Sequence, residues 1–289
     1  MVFPPESEPL LERLRAAVPA EGRLAVAFSG GVDSSLLLAL AVGALGRARV
    51  LAVTAVSPSL AGDELAACQA LAAELGVEHR LLETRELERQ GYRDNAGDRC
   101  YHCKSELFER VEELAGVERL DAVAYGATRD DLGDWRPGLR AAREHRALAP
   151  LADAGLGKDE VRALSRALGL AVWDKPAHPC LASRVPYGQA VTAEKLGRIE
   201  GAERLLRGLG LRELRVREHE QETPAGPRPL ARVEVPAADL ARLVSPGVRE
   251  AVTAGLRALG YEYVTLDLEG LRSGRLNEVL GRKLPQVSP

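Results

Sequence analysis

The stretch RLAVAFSGGVDSSLLLALAVGAL, residues 23–45, decides the fold. RLAVAF (23–28) is a short apolar run between Gly22 and a loop of small residues, and it reads as a buried strand. LLLALAVGAL (36–45) is long enough for a buried helix. The same unit recurs downstream. VLAVTAV (50–56) is a second strand, and GDELAACQALAAELG (62–76) a second helix that ends on a glycine stop signal. A third strand is expected at 78–83, a helix near 99–115, and a fourth strand in DAVAYGA (121–127). Strands alternating with helices at this spacing predict an α/β fold, a doubly wound parallel sheet. Such sheets bind ligands beyond the carboxyl ends of their strands. The loops 29–35, 57–63 and 126–138 all follow strands, which points to one shared site.

A different pattern begins after about Pro186. VTAEKLGRIEGAERLLRGLG (191–210) reads as a helix, LRELRVREHE (211–220) and PLARVEVP (229–236) as strands, residues 237–259 as helical, and YEYVTLDL (261–268) as a last strand. This α-β-β-α-β order predicts a smaller α+β domain over 187–289, following the doubly wound domain over 1–186. Arg215 and Arg217 alternate along the first of its strands, so both face one side. Guanidinium forks at that spacing suit carboxylate or phosphate.

The 289 residues are 46% hydrophobic and 28% charged, enough apolar material for a real core. A net charge of -3 from 39 basic and 42 acidic residues supplies no global field for nucleic acid. Two Trp, six Tyr and three Phe are too few for base-stacking platforms. No apolar run approaches the roughly 20 residues that span a bilayer, and the first residues lack the layout of a signal peptide. A cytoplasmic protein without nucleic-acid or membrane partners is expected. Its four cysteines are then reduced thiols, metal or cluster ligands, or reactive groups.

Ser29, Gly30, Gly31, Val32, Asp33, Ser34 and Ser35 form the loop between the first strand and its helix. Two glycines allow a ligand close to the backbone, the helix start offers unpaired N–H groups to an anion, and three hydroxyls add donors. The spacing and lysine of a Walker A loop are absent. The segment is similar, residue for residue, to the SGGxDS loop of the PP-loop adenylating ATPases. That resemblance implies cleavage of ATP between its α and β phosphates, leaving an adenylated substrate and pyrophosphate. Carboxylates for magnesium are available at Asp33 in the loop and at Asp130, Asp131 and Asp134 after the fourth strand.

Cys100 and Cys103 lie in GDRCYHCKSELF, three residues apart at the start of a helix with Asp98 as its N-cap. The positive helix end, Arg99 and Lys104 favour thiolate. Cys180 lies in DKPAHPCLASR, where prolines argue for a loop, and Cys68 shares an apolar helix face with Leu71 and Leu75 and reads as core. Residue chemistry leaves three options open: zinc with His178 or His102 as a fourth ligand, a three-cysteine iron–sulfur cluster, or Cys180 as a sulfur donor beside a structural pair.

SGGVDSS, RCYHCKSELF, GATRDDLGDWRPGLRAARE, KPAHPCLASRVPYG and the paired strands RVRE and ARVE together resemble the LarE family, over residues 23–268. LarE enzymes are ATP-dependent sulfur transferases of nickel-pincer nucleotide biosynthesis, which serves lactate racemase. The resemblance implies a pyridinium-3,5-biscarboxylic acid mononucleotide as substrate, ATP with magnesium, and conversion of its carboxylates to thiocarboxylates by way of acyl-adenylates. One branch of the family consumes the cysteine matching Cys180, leaving dehydroalanine. Another holds a 4Fe-4S cluster on three cysteines and passes sulfide through it. Cys100, Cys103 and Cys180 imply the cluster branch here, with sulfide or a sulfide donor as co-substrate. The resemblance further places Arg215, Arg217, Arg184 and Arg136, with Glu203 and Glu234, near the substrate, and Ser29 to Ser35 with Asp131 at the nucleotide. It implies a homo-oligomer, hexamers included. Thr128 departs from the family's asparagine, and nothing carries over to Tyr101. The rivals are a PP-loop tRNA thiolase, disfavoured by the charge and sparse aromatics, the ammonia-using GMP and NAD synthetases, which do not need Cys180, and a zinc-binding interaction protein, which leaves SGGVDSS unexplained.

Overall fold

A computed structural model describes residues 3–133 and 137–272. Along the chain the helices are α1 (Glu8–Ala16), α2 (Val32–Leu45), α3 (Gly62–Leu75), α4 (Gln90–Arg93), α5 (Arg99–Glu118), α6 (Arg129–Leu132), α7 (Pro137–Glu144), α8 (Pro150–Asp153), α9 (Lys158–Ala167), α10 (Ala193–Gly208), α11 (Leu240–Leu243) and α12 (Val248–Ala258). The strands are β1 (Leu24–Ala27), β2 (Val50–Val56), β3 (Glu78–Glu83), β4 (Ala122–Tyr125), β5 (Arg215–Gln221), β6 (Arg228–Glu234) and β7 (Tyr263–Leu266). The described residues fall into two compact units: residues up to Glu86 with Asp98–Pro179, and Leu87–Gly97 with residues from Cys180 onward.

In the first unit four parallel strands pair in the order β3-β2-β1-β4, Leu24 lying opposite both Val50 and Ala122. Every residue of β1 is buried, because helices cover both faces of the sheet. Leu24 and Val26 face the larger core, built on α1, α2, α3 and α9, while Ala25 and Ala27 face a smaller one completed by Leu107 and Val111 of α5. α2 is apolar all round because it is enclosed; Leu36, Leu37, Leu38 and Leu40 are fully buried. α3 ends at Gly76 in the left-handed region, as its glycine signal requires. This is the doubly wound parallel sheet expected from the sequence. Its strand order reverses between β1 and β4, so the loops after those two strands open onto the crevice where such folds bind ligands.

In the second unit β5 pairs antiparallel with β6, and β6 parallel with β7. Val216, Ala231 and Val233 turn one sheet face onto α10 and α12, with Leu206, Val252 and Leu256 in that core. The opposite face carries Arg215, Arg217 and His219 of β5 against Glu234, Arg232 and Leu230 of β6. The division of the chain differs from the expected 186/187 boundary in two places. The second unit starts at Cys180, and it also takes in the excursion 87–97. Asn95 explains the excursion: it is fully buried, and its side-chain amide donates to the carbonyls of Val185, Pro186 and Gln189 at 3.2, 2.7 and 3.0 Å. Long-range pairing of that kind carries no local pattern.

Candidate active site

In the first unit β1 ends at Ala27, Phe28 leads into the loop at Ser29, and Gly31 caps α2. Ser29 N–H and hydroxyl both meet Ser34 Oγ, at 3.3 and 3.2 Å, and that hydroxyl also donates to Gly31 C=O, so the loop is cross-braced. Ser35 N–H donates to Gly31 C=O at 3.0 Å, the first i→i−4 bond of α2, so the amides before it lie at the helix mouth. Gly30 has φ +68, and a Cβ there would lie 2.8 Å from Cys68 Sγ. Cys68 is fully buried, as its helical face suggested, and burial raises its thiol pKa. Gly126, after β4, abuts the same turn: a Cβ would come within 2.7 Å of Ser34 N.

The acidic groups converge on one cation. Lys158 Nζ, at the first residue of α9, donates to Asp33 Oδ2 at 2.5 Å and to Asp131 Oδ2 at 3.3 Å, while its backbone N–H donates to Asp130. Thr128 caps α6, and its N–H and hydroxyl both donate to Asp131 Oδ2, at 2.8 and 3.0 Å. The residue that departs from the family pattern therefore orients this carboxylate. Asp33 and Asp131, with a substrate phosphate, fit what magnesium asks of a protein: one or two carboxylates and no complete cage. Asp134 and Arg136 lie outside the described residues.

Cys100 is exposed and Cys103 partly exposed, neither in a disulfide, near the start of α5 after Asp98. Tyr101 donates to Glu144 of α7 at 2.6 Å and lies under Arg140, while His102 Nε2 is 3.5 Å from Asp98. His178 Nδ1 is 3.7 Å from Glu64. Among the described residues no group of three or more His, Cys, Asp or Glu side chains is assembled for a metal ion.

In the second unit Cys180 is a free, exposed thiol that precedes the turn Leu181–Arg184. Arg184 is buried and forks onto Glu203, Nε to Oε1 at 2.8 Å and Nη2 to Oε2 at 3.1 Å. Glu203, on α10, is fully buried rather than exposed, and also accepts from Val216 N–H and Arg207. Arg217, 3% exposed, donates to Ser183 C=O at 2.7 Å and to Glu234 Oε2 at 2.9 Å. Arg232 stands opposite Arg217 in the ladder and takes Glu234 Oε1 at 3.2 Å. One buried carboxylate thus holds two facing arginines. Burial, with Arg217 and Arg184 nearby, lowers the Arg215 guanidinium to about 10. Asp267 Oδ2 is also 3.6 Å from Arg232 Nε, and Arg184, Arg207, Arg215, Arg217 and Arg232 still outnumber Glu203, Glu234 and Asp267, which suits an anion.

His219, next on that face, is pushed down to about 4 by burial and by Arg232 and Arg217, against an ordinary 6.5. A histidine with a depressed folded-state pKa stabilises fully above about pH 6.5 and loses its contribution as the unfolded chain takes up the proton first. We expect the melting temperature to fall between pH 6.5 and 4, and His219→Gln to flatten that fall. His79, lowered by burial in the first unit, leaves a residual slope of the same sign. A variant with an unchanged slope would sink this assignment.

The profile of the asparagine synthase family matches residues 9–94, the stretch that contains the loop. A pyridinium-3,5-bisthiocarboxylic acid mononucleotide synthase of Lactiplantibacillus plantarum is 37% identical over 267 residues, covering 92% of this chain and 93% of that protein. The chain belongs to the LarE family. An uncharacterised Synechocystis protein is 44% identical over 94% of this chain and 98% of its own, and one from Methanocaldococcus jannaschii is 26% identical over 87% of this chain and 91% of its own. As a LarE-family member the chain is an ATP-dependent enzyme on a PP-loop domain, and no described helix is long and apolar enough to cross a membrane.

Lys158, Lys175, Glu64, Arg207, Arg232 and His219 were not singled out as site residues by the sequence. For the two lysines a signal existed. Only five of the 39 basic residues are lysines, and two of the five reach the loop 29–35, its acid and its carbonyl.

Proposed function

We propose that this protein makes a pyridinium bis-thiocarboxylic acid mononucleotide from the corresponding biscarboxylic acid and ATP. The observation that carries this reading is the exposed thiol of Cys180 on the turn whose Arg184 and Ser183 join Arg217 in one buried arginine–carboxylate network. A substrate with two carboxylates and a phosphate needs such cations. Arg215 and Arg217 bind its anionic groups, and Arg184, Glu203 and Glu234 hold the arginines in place. The loop 29–35 takes the ATP phosphates; Lys158 turns from Asp33 and Asp131 to the phosphates, and those carboxylates receive magnesium.

A substrate carboxylate oxygen attacks the α-phosphorus, the bond to the β-phosphate oxygen breaks, and pyrophosphate leaves. The acyl-adenylate carbonyl carbon is then attacked by sulfur, and AMP departs with the bonding electron pair. A second cycle converts the second carboxylate. In the reading we favour, Cys100, Cys103 and Cys180 would hold a 4Fe-4S cluster, which would supply a site for sulfide; three thiols outside any disulfide and at least partly accessible support it. The alternative is favoured by the exposure of the Cys180 thiol at the start of a short turn. There the Cys180 thiolate attacks, a base removes its Cα proton, and the Cβ–Sγ bond breaks, leaving dehydroalanine. Anaerobic reconstitution with iron and sulfide, followed by the visible spectrum and the mass of the Cys180 peptide after turnover, separates the two.

Substrate-dependent ATP–pyrophosphate exchange tests the first half-reaction. Lys158→Ala is expected to lower it about 100-fold, the scale for removing one donor from a developing anion, with little loss of stability because Lys158 is 39% exposed. Exchange within threefold of wild type would remove Lys158 from the phosphate site.

A further inference from the structure

The loop 29–35 is held from outside by a residue far along the chain. Lys175 Nζ donates to Gly30 C=O at 3.1 Å and to Glu64 Oε2 at 2.6 Å, and both side chains are 19% exposed. Glu64 lies in the first turn of α3, so the ammonium bridges that helix and the loop. The backbone of Lys175 is fixed separately: Arg162 of α9 donates to the carbonyls of Trp173 and Lys175 at 2.8 and 3.0 Å. The lysine side chain can therefore be removed without freeing its strand of chain.

The contact is made to an atom with leverage. In a planar trans peptide the C=O and the following N–H point in opposite directions, so fixing Gly30 C=O on Lys175 fixes the Gly31 N–H on the other side. Gly31 is the N-cap of α2, where backbone amides meet an anion. Gly30 cannot hold this orientation by itself. Its φ of +68 is one of several broad minima open to glycine, and a free glycine peptide flips between them. Cys68 blocks one side of the Gly30 Cα, and the ammonium selects the carbonyl direction.

We propose that Lys175 is a positioning residue of the nucleotide site, held by Glu64, which presets the Gly30–Gly31 peptide for the pyrophosphate part of ATP. This rests on reading residues 29–35 as the phosphate loop. The preset peptide serves the β and γ phosphates and not the nucleoside, so the effect of losing it is selective. A merely structural role would weaken every nucleotide alike.

The test is calorimetric titration of ATP and of AMP, each with magnesium, into wild type, Lys175→Ala, Lys175→Arg and Glu64→Gln. Lys175→Ala is expected to weaken ATP about tenfold, the scale of one charge-assisted hydrogen bond, with AMP within about twofold. Lys175→Arg, which can still donate to both acceptors, should recover most of the loss. Glu64→Gln keeps every atom of the lysine and should shift ATP in the same direction by about threefold, which preserves the test if Lys175→Ala melts early. ATP affinity unchanged in Lys175→Ala, or ATP and AMP weakened equally, overturns the proposal. Wild type that binds neither nucleotide instead overturns the phosphate-loop reading, a separate and recognisable failure.

Discussion

Cys180→Ala abolishes thiocarboxylate formation while ATP–pyrophosphate exchange stays within about threefold of wild type. The two half-reactions use different chemistry, and the thiol enters only the second. Cys180 is exposed and precedes a short turn, so trading its Sγ for hydrogen leaves no buried cavity. The turn stays closed through Ser183 N–H on the Cys180 carbonyl, a backbone contact that any residue makes. Product is read by mass spectrometry and exchange with labelled pyrophosphate. Both branches of the sulfur mechanism require this loss. Thiocarboxylate from the variant at more than a few per cent of the wild-type rate would exclude Cys180 as the route of sulfur, whether as cluster ligand or as donor.

Glu203→Ala should be the most damaging single change to the second unit, at about 3–5 kcal/mol, the scale for stripping one partner from a buried ion pair. It leaves the buried Arg184 guanidinium facing a void, and removes the acceptor for Val216 N–H and for Arg207. Denaturant unfolding measures it. Replacing both charges, Arg184→Met with Glu203→Leu, should recover part of that stability, because the buried Arg184 charge is gone while Arg207 and the Val216 N–H still lose Glu203 as acceptor. It should not recover sulfur transfer if Arg184 serves the substrate cradle. A Glu203→Ala protein as stable as wild type would show that the carboxylate is not the counter-ion its geometry describes.

These two residues mark how far the sequence could be read. Cys180 was legible because prolines on either side exclude a core position, and a thiol in a loop then needs a chemical reason. Glu203 was legible only as a family match. On a helix wheel it could equally have faced water, and nothing local says that Arg184, nineteen residues earlier, turns back onto it. The arginines of β5 were readable as a pair, since alternation puts them on one face. Arg232 opposite them, and the single carboxylate between, depend on the register of a ladder closed by the hairpin. His219 looked unremarkable in sequence, since its depressed pKa comes from burial beside guanidiniums on two strands.

Local forces determined the rest. Short and long apolar runs, glycine stops and a small-residue loop placed the strands of the parallel sheet, its helices and the phosphate loop, because each depends on residues a few positions apart. The family, too, was written in contiguous motifs. Tertiary structure alone decided what bridges those motifs: Lys158 between Asp33 and Asp131, Lys175 on the Gly30 carbonyl, Asn95 against 185–189, Glu203 on Arg184. Each joins charged or polar atoms brought together only when the core closes. Hydrophobic patterning states that such a side chain stays out of the core, and its partner is set by which segments the core holds side by side.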